Sequence, residues 1–351
     1  MNGGLPAARV ERRARPWAGT ARAKKALASI ILIGLVAFLI LTAQLKEVSL
    51  ERLLSLGVWG VMLGGIIALG GIGISLVYGV LRFANFAHGD LMTTGAYIVL
   101  ALLPILPRGA PLKPFSFGWE FLVALLLTMP LIGLSAFAID RVIYRPLRAR
   151  RSSGIILAMA SLGMAFFIRS LVYLGWGADF RFYYVGRERP ALRLPLGIRV
   201  RPDQFFILGV ALLLVFLLYL LLERTKMGKA MRATADNPEL ARVSGINTEK
   251  VIFWTWVIGG ALAAAGGVLL GLNAQLSPMM GWWLLLPLFA AVILGGIGNP
   301  YGALVGGLII GIIQQVATAF LNPAYAPGVS FLIMVIVLLV RPQGIFGKPG
   351  G

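Results

Sequence analysis

The sequence of 351 residues contains no cysteine and only one histidine, His88. Without cysteine the chain has no disulfide framework and no thiolate ligand for a metal. A lone histidine also argues against a zinc or haem site, because such sites need several His or Cys ligands or an axial partner. We therefore expect neither a metal nor a cofactor, and cysteine usage gives no indication of the compartment.

Acidic residues are scarce as well, with 13 Asp and Glu against 32 Lys and Arg, a formal charge of +19. Such an excess would suit a nucleic-acid binder, but the basic residues lie in short segments without interleaved aromatic residues, so we expect no nucleic-acid partner. Basic residues retained in short cytoplasmic loops, which orient membrane helices, explain the charge better.

Motifs for hydrolytic chemistry are missing too. The sequence has no G-x-x-x-x-G-K-[ST] phosphate-binding loop and no G-x-S-x-G nucleophile elbow, and its few acids are scattered through loops. We therefore expect that the chain is not an enzyme. If ATP powers its activity, the hydrolysis must take place on another chain.

Apolar residues, by contrast, make up 59% of the sequence and occur in long runs. A helix needs about 20 apolar residues to cross a bilayer core of roughly 30 Å. The pattern predicts an all-α, polytopic membrane protein with eight to ten transmembrane helices. The candidate crossings are residues 27–45, 57–80, 91–106, 118–139, 154–175, 203–222, 251–273, 284–298, 302–321 and 329–340.

The crossings divide the chain into a basic cytoplasmic tail (1–28), a transmembrane domain (29–341) and a cytoplasmic C-terminal tail (342–351). A basic leader before an apolar run is also typical of a signal peptide, but this run is long and no convincing small-residue cleavage site follows it. We expect a retained first helix and a cytoplasmic N-terminus. The two short runs near the C-terminus suit half-helices as well as full crossings.

The loops that this orientation places in the cytoplasm, 140–151 and 223–250, are rich in Arg and Lys, in agreement with the positive-inside rule. Residues 176–202 fit less well, since this arginine-rich segment would lie outside. Its glycines and prolines indicate a folded turn outside the membrane. This turn could dock a partner protein or simply be solvated, and the sequence leaves both alternatives open.

The stretch N-F-A-H-G-D at 85–90 places Asn85, His88, Gly89 and Asp90 between two apolar runs. Polar groups at membrane depth are costly and often mark a solute path, so this stretch predicts a helix break that lines or gates such a path. The alternative is a set of structural caps, with Asp90 as the N-cap of a helix beginning near Leu91; both are open.

Arg169 lies within another apolar run, where an arginine is a functional candidate unless it snorkels to the interface. A possible internal repeat relates residues 85–97 to residues 298–310, because each places an asparagine, the second being Asn299, before a helix restart. Matched interruptions in two halves point to the central path of a transporter.

The polar loop 223–250 contains Asn237-Pro238, with Glu239 in the first turn of a predicted short helix that closes at Gly245. A soluble helix held between two membrane spans can press on a partner protein. An ordinary charged loop between helices is the alternative.

Three stretches together resemble the permease subunits of high-affinity branched-chain amino-acid ABC importers of the LivH type, in the LivH/LivM-like family. They are N-F-A-H-G-D with the following G-A-Y, the loop 236–247 with V-I-G-G-A-L-A-A-A-G-G-V-L-L-G after it, and L-G-G-I-G-N-P-Y-G-A-L-V-G-G. The resemblance spans about residues 57–341.

The resemblance implies a type II ABC importer-like permease in the inner membrane that pairs with a second, LivM-like permease subunit. Two ATP-binding cassette subunits and a periplasmic or extracellular substrate-binding protein would complete the importer. Glu239, Ala241 and Gly245 match the spacing of the family's E-A-A-x-x-x-G coupling loop, with Leu240 in place of an alanine. These three residues are therefore the expected ATPase-coupling positions.

Branched-chain amino acids are the solute that the resemblance favours, with urea or a short amide, carried by a permease of the same family, as the alternative. A secondary transporter or a channel for a small neutral solute is a further alternative. Secondary transport needs ionisable groups deep in the membrane, and apart from His88, Asp90 and Arg169 the apolar runs offer few.

Overall fold

The fold was analysed in a computed structural model that describes residues 48–107, 109–184 and 190–347. The basic N-terminal tail and the first expected crossing, residues 27–45, lie outside the described residues.

Almost all regular structure in the described residues is helical. A π-helical turn (Asp140–Tyr144) joins α3 to α4, and two short antiparallel strands, β1 (Leu192–Arg193) and β2 (Arg199–Val200), precede α6. The helices are α1 (Leu50–Leu81), α2 (His88–Leu102), α3 (Trp119–Ile139), α4 (Arg145–Ala149), α5 (Gly154–Trp176), α6 (Pro202–Arg224), α7 (Lys226–Asp236), α8 (Pro238–Val243), α9 (Thr248–Asn273), α10 (Met280–Gly295), α11 (Pro300–Ala317) and α12 (Ala326–Val340).

The prediction of an all-α polytopic membrane protein is confirmed. Within the described ranges, seven helices are long and apolar enough to cross a membrane. Apolar side chains face outward on α5 and α6, whose most apolar windows are only 33% and 22% buried. In lipid such outward faces contact acyl chains, so these helices form the periphery of the bundle.

Helix α1 is the centre of the bundle. It begins where the Ser49 hydroxyl accepts the Arg52 N–H at 3.3 Å, an N-cap, and it runs for 32 residues. Its most apolar window is 89% buried. Beyond its first turn, which holds Glu51 and Arg52, the helix is uncharged. An uncharged stretch that is buried all round fits the core of a membrane bundle, where the other helices shield it from lipid.

Glycines allow the neighbours of α1 to approach it closely. A Cβ added to Gly311 of α11 would lie 2.3 Å from the backbone nitrogen of Gly64, and one added to Gly60 would lie 2.6 Å from the Cα of Ile312. Small residues at such crossings let backbones pack directly in a bilayer, where no hydrophobic driving force acts between helices. Gly60 and Gly64 therefore allow α1 to pack directly against α11.

Two buried helices are too short to cross alone. Helix α2 has 15 residues and α10 has 16, which corresponds to about 23 Å each at 1.5 Å per residue. The expected full crossing at 91–106 is therefore a half-length helix that begins earlier, at His88, after a non-helical segment at 82–87. The half-helix alternative stated for residues 284–298 matches α10.

The molecule has two distinct ends along α1. At the α7–α8 end, the Arg82 Nη2 donates to the Ala235 carbonyl, which joins α7 to the C-terminus of α1. The opposite end carries the hairpin formed by β1 and β2 and is called the hairpin end. There the Trp59 Nε1 donates to the Arg199 carbonyl at 2.7 Å, which joins β2 to the first half of α1. The short α8 helix and the arginine-rich loop therefore lie on opposite sides of the bundle.

The two stretches of the suggested repeat occupy different places. Asn85 precedes the half-length α2 inside the bundle, whereas Asn299 caps the 18-residue α11 at the α7–α8 end. In length, the 16-residue α10 resembles the 15-residue α2 more closely than the 18-residue α11 does.

We predict that Gly311→Val disrupts the α1–α11 contact, because its side chain would meet the backbone of Gly64. Overpacking of this kind costs about 1–3 kcal/mol or more. Thermal unfolding in detergent should show a lowered Tm. The matched control is Gly209→Val on α6, where an added Cβ meets nothing within 4 Å; equal Tm values for the two variants would contradict the packing role.

Candidate functional site

The segment 82–87 carries the chain through the protein interior without helical hydrogen bonds. Helix α1 ends at Leu81. Its C-cap, Arg82, adopts a left-handed conformation with φ 58°, and the Arg82 N–H donates to the Tyr78 carbonyl at 2.8 Å. Irregular backbone at membrane depth is tolerated only where protein or a water-filled cavity satisfies it. The partners of this segment therefore decide whether the break can exist.

Ser161 of α5 supplies one such partner. Its Oγ accepts the Phe86 N–H at 2.9 Å, and its hydroxyl lies within reach of the Ala158 and Ala84 carbonyls at 2.7 and 3.3 Å. The serine is fully buried. The Ser161 side chain thus links the backbone of the segment 82–87 to α5 by hydrogen bonds.

Asn85 stabilises the turn into α2 from within the segment. Its Oδ1 accepts the Ala87 N–H at 3.1 Å, and its backbone carbonyl accepts the His88 N–H at 3.4 Å. This local turn replaces a helical bond. The Nδ2 group of Asn85, however, is buried and finds no acceptor in the described part of the chain.

His88 lies against the middle of α1. A Cβ added to Gly73 would lie 2.6 Å from the His88 Cε1 atom, so only glycine leaves room for the imidazole. The ring is 1% exposed, and its Nε2 lacks a hydrogen-bond partner among the described residues. A buried polar atom without a partner is rare and calls for an explanation.

Asp90 forms a bidentate ion pair with Arg169 of α5. The Arg169 Nε lies 2.8 Å from Oδ1 and its Nη2 lies 2.9 Å from Oδ2, and both side chains are buried. The expectation that Asp90 caps a helix beginning near Leu91 is wrong, since α2 begins at His88 and its N-cap, Ala87, makes no side-chain bond. The carboxylate instead binds a cation on another helix.

The surroundings of Arg169 exclude the snorkelling alternative, because the residue is only 6% exposed. Its guanidinium carbon lies 4.5 Å from the ring centroid of Trp282 and 5.4 Å from that of Phe166, both within cation–π range. Its Nη1 lies 3.7 Å from the Met279 sulfur. Arg169 thereby connects α5 to α2 and to the start of α10.

Gly89 allows α2 and α10 to meet at their first turns. A Cβ on Gly281 would lie 1.8 Å from the Gly89 carbonyl oxygen, and a Cβ on Gly89 would lie 2.4 Å from the Gly281 carbonyl oxygen. The Gly281 N–H donates to the Thr93 Oγ1 at 3.0 Å. The two half-length helices are therefore in direct backbone contact beside the ion pair.

Asn299 lies apart from the other four predicted path residues. Its Oδ1 accepts the N–H groups of Tyr301 and Gly302 at 3.0 and 3.1 Å, which makes it the N-cap of α11. The preceding Gly298 lies against Gly79 of α1, about 9 Å beyond the Gly73 position that faces His88. The structure thus assembles Asn85, His88, Gly89 and Asp90 and leaves Asn299 near the α7–α8 end.

The predicted coupling residues fall on one helix and its C-terminal turn. Asn237 caps α8 by accepting the N–H groups of Glu239 and Leu240, and Gly245 ends the turn with φ 84°. Glu239 is exposed, whereas Ala241 is only 4% exposed and faces the protein. A left-handed residue after a helix is most often glycine, which explains the position of Gly245.

Helix α7 connects α8 to the membrane helices by side-chain contacts. Glu223 at the end of α6 accepts from the Tyr301 hydroxyl at 2.8 Å and pairs with Arg232 of α7 at 2.6 Å. The Arg82–Ala235 contact joins α7 to the start of the broken segment. Helix α7 therefore contacts α6 and the C-terminus of α1, and Glu223 of α6 in turn binds Tyr301 of α11.

Three contributors to the site were not predicted from the sequence: Ser161, Thr93 and Trp282. Each lies far in sequence from the residue it serves, and serine, threonine and tryptophan in apolar helices are common without any such role. For Ser161, the one sequence signal was the presence of a polar side chain on the buried face of the apolar helix α5.

No cluster of three or more His, Cys, Asp or Glu side chains able to hold a metal occurs in the described ranges.

The comparisons identify the family. The profile of the branched-chain amino acid transport system / permease component family matches residues 58–338. The chain belongs to this permease family. The permease is 35% identical over 296 residues to the LivH permease protein of the high-affinity branched-chain amino acid transport system of Escherichia coli K12, covering 83% of this chain and 94% of that protein.

Two further relatives agree. The permease is 32% identical over 302 residues to the corresponding protein BraD of Pseudomonas aeruginosa, covering 83% of this chain and 94% of BraD. It is 30% identical over 301 residues to the probable LivH permease protein of Methanocaldococcus jannaschii, covering 82% of this chain and 90% of that protein. No solved structure matches the permease.

We predict that Arg169→Gln strongly destabilises the permease, because it leaves the Asp90 carboxylate buried without its cation. Removing one partner of a buried pair typically costs about 3–5 kcal/mol. Thermal unfolding in detergent, followed by fluorescence, measures the loss.

The control is the double variant Asp90→Asn with Arg169→Gln, which removes both charges together. It should regain more than half of the lost stability, since no uncompensated charge remains. A double variant no more stable than the single one would show that the pair itself is not the source of the effect.

Proposed function

We propose that the chain is the permease subunit of an ABC importer that moves branched-chain amino acids across the inner membrane, with ATP hydrolysed on separate subunits. The family membership and the names of the relatives support the transport role and the solute. The chain itself has no phosphate-binding loop. Energy must then enter through a contact with another protein.

The observation that carries this proposal is the outer face of α8. Leu240 and Val243, three residues apart and therefore on one side of the helix, are 61% and 81% exposed. On the opposite side Ala241 is buried, so α8 is held in place while it presents two apolar side chains. An exposed apolar pair on a fixed helix outside the lipid-facing surface suits the docking of an ATP-binding subunit.

The orientation follows from this contact. ATP-binding subunits are cytoplasmic, so we place the α7–α8 end, with Glu239, Ala241 and Gly245, in the cytoplasm and the hairpin end outside. Basic residues of α4 and α7 support this placement by the positive-inside rule. A second permease subunit completes the proposed importer, together with a binding protein that docks at the hairpin end.

The proposed mechanism is alternating access, with the break at 82–87 as the moving part. When the ATP-binding subunits close, α8 and α7 shift together, and the Arg82–Ala235 contact transmits that shift to the start of the break. The path then opens beside Asn85 and His88. The Asn85 Nδ2 and the His88 Nε2, which have no partner among the described residues, would gain water or solute as partners in the open conformation.

Secondary transport is less well supported. The described residues at membrane depth include the ionisable side chains of Asp90, Arg169 and His88. Asp90 and Arg169 neutralise each other in a bidentate pair. A coupling ion would have to compete with that pair. No observation in the described residues favours urea or a short amide over an amino acid.

We predict that Leu240→Glu prevents the ATP-binding subunits from co-purifying with the permease, since a charge would replace an apolar contact. ATP-driven leucine uptake should fall to background, while the permease alone keeps its Tm, because the side chain is exposed. Leu196 is 73% exposed at the opposite end, so Leu196→Glu is the matched control for co-purification and should leave the ATP-binding subunits bound. Normal co-purification of Leu240→Glu would refute the docking face.

We also predict that the site becomes accessible during turnover. Because the chain has no cysteine, Asn85→Cys gives a single reactive thiol without further changes. A membrane-impermeant thiol reagent should label it slowly in the resting importer and at least tenfold faster when ATP is hydrolysed. Thr128→Cys on α3, a fully buried polar position away from the break, is the control and should stay unlabelled. Equal labelling of Asn85→Cys in both states would contradict the proposed path.

A further inference from the structure

A cavity of about 420 Å³ lies at the hairpin end between α1, α6 and α11. Two groups of side chains line it, and neither belongs to the break at 82–87 or to α8. Trp59 and Leu63, one turn apart on α1, form its apolar wall, and Arg199, Arg201, Gln204 and Gln315 supply its polar groups. None of the lining residues is acidic.

The two arginines have different roles. Arg201 is already engaged, since its Nη2 donates to the Asn273 carbonyl at 2.6 Å and so fastens the start of α6 to the end of α9. The guanidinium of Arg199 forms no ion pair with a carboxylate of the described ranges. Arg199 is therefore the cation available to a ligand.

The backbone of Arg199 is fixed beside the cavity. Its N–H donates to the Ser55 Oγ at 3.2 Å, and its carbonyl accepts the Trp59 Nε1 at 2.7 Å. Both partners belong to α1, the most buried helix of the bundle. The backbone that carries the cation is thus fixed beside the apolar wall, which lowers the cost of placing the guanidinium at the cavity.

A neighbouring cavity of about 340 Å³ shares Arg201 but offers different chemistry. It is lined by Asp203, whose carboxylate accepts the Ser116 N–H at 2.8 Å. A carboxylate in the wall disfavours an anion. Of the two cavities, only the one lined by Arg199 combines an apolar wall with positive charge and no acid.

We propose that this cavity is an access subsite for an aliphatic α-amino acid. The solute carboxylate pairs with the Arg199 guanidinium, the aliphatic side chain contacts Trp59 and Leu63, and the Gln315 amide oxygen accepts from the ammonium group. This subsite rests on the proposed function, since it names the solute of the same transport path. It lies at the end opposite α8, where an imported solute would first meet the chain.

The experiment measures binding directly, without ATP, ATP-binding subunits or a binding protein. The full-length permease in nanodiscs of zwitterionic lipid is titrated with leucine, and saturation-transfer NMR reports the bound fraction. Failure of ATP-driven uptake would leave this result unchanged, so the subsite and the proposed function fail independently.

Wild-type permease is expected to bind leucine weakly and also 4-methylpentanoate, which keeps the carboxylate, but not 3-methylbutylamine, which lacks it. Arg199→Gln should weaken leucine binding about tenfold, the loss expected for one charge-assisted hydrogen bond. Arg199→Lys, which keeps the charge, should retain most of the binding. Arg193→Gln is the matched control, since Arg193 lies opposite Arg199 in the hairpin and lines neither cavity.

Several results would overturn the proposal: equal leucine binding by Arg199→Gln and wild type, an equal loss in Arg193→Gln, or equal binding of the amine. Loss of leucine binding when anionic lipid is added would assign the arginine to lipid headgroups instead. If Arg199→Gln does not fold, unchanged leucine binding by Trp59→Ala would be equally decisive against the subsite.

Discussion

The structure depends on how the bundle satisfies a stretch of non-helical backbone in its interior. Hydrocarbon offers no hydrogen bonds, so each exposed N–H or C=O group there costs several kcal/mol. Ser161 and Asn85 supply bonds to the segment 82–87, and the Asp90–Arg169 pair fixes the helix that follows it. A broken helix at this depth is possible because α5 provides both a hydroxyl and a cation.

These constraints also connect the two ends of the molecule. The break begins at Arg82, which contacts α7, and continues into α2, whose first turn touches α10. Glycine-mediated contacts make α1 and α11 a close-packed pair, which resists deformation. A shift delivered at α8 would therefore reach the non-helical segment 82–87. Asn85 within this segment and His88 directly after it each carry a buried polar atom without a partner among the described residues.

Much of this arrangement follows from local sequence signals. The apolar runs predicted the helices, and the N-F-A-H-G-D stretch predicted the break. Asn237-Pro238 and Gly245 predicted where α8 begins and ends. The long-range pairing did not follow from these signals. Local rules make Asp90 a candidate helix cap, but in the structure its carboxylate binds Arg169, 79 residues away. Local propensity cannot reveal such a contact, because the cost of an unpaired charge in the interior is decided only by tertiary packing.

Amide hydrogen exchange of peptides covering residues 82–92 in the assembled importer tests the central claim most directly. At rest, the amides of Phe86, Ala87 and His88 should exchange slowly, since each donates to a buried acceptor. During ATP hydrolysis their exchange should accelerate while that of α1 stays slow. Loop-like exchange at rest, or identical rates with and without ATP, would contradict a break that is closed against α5 and opened by coupling.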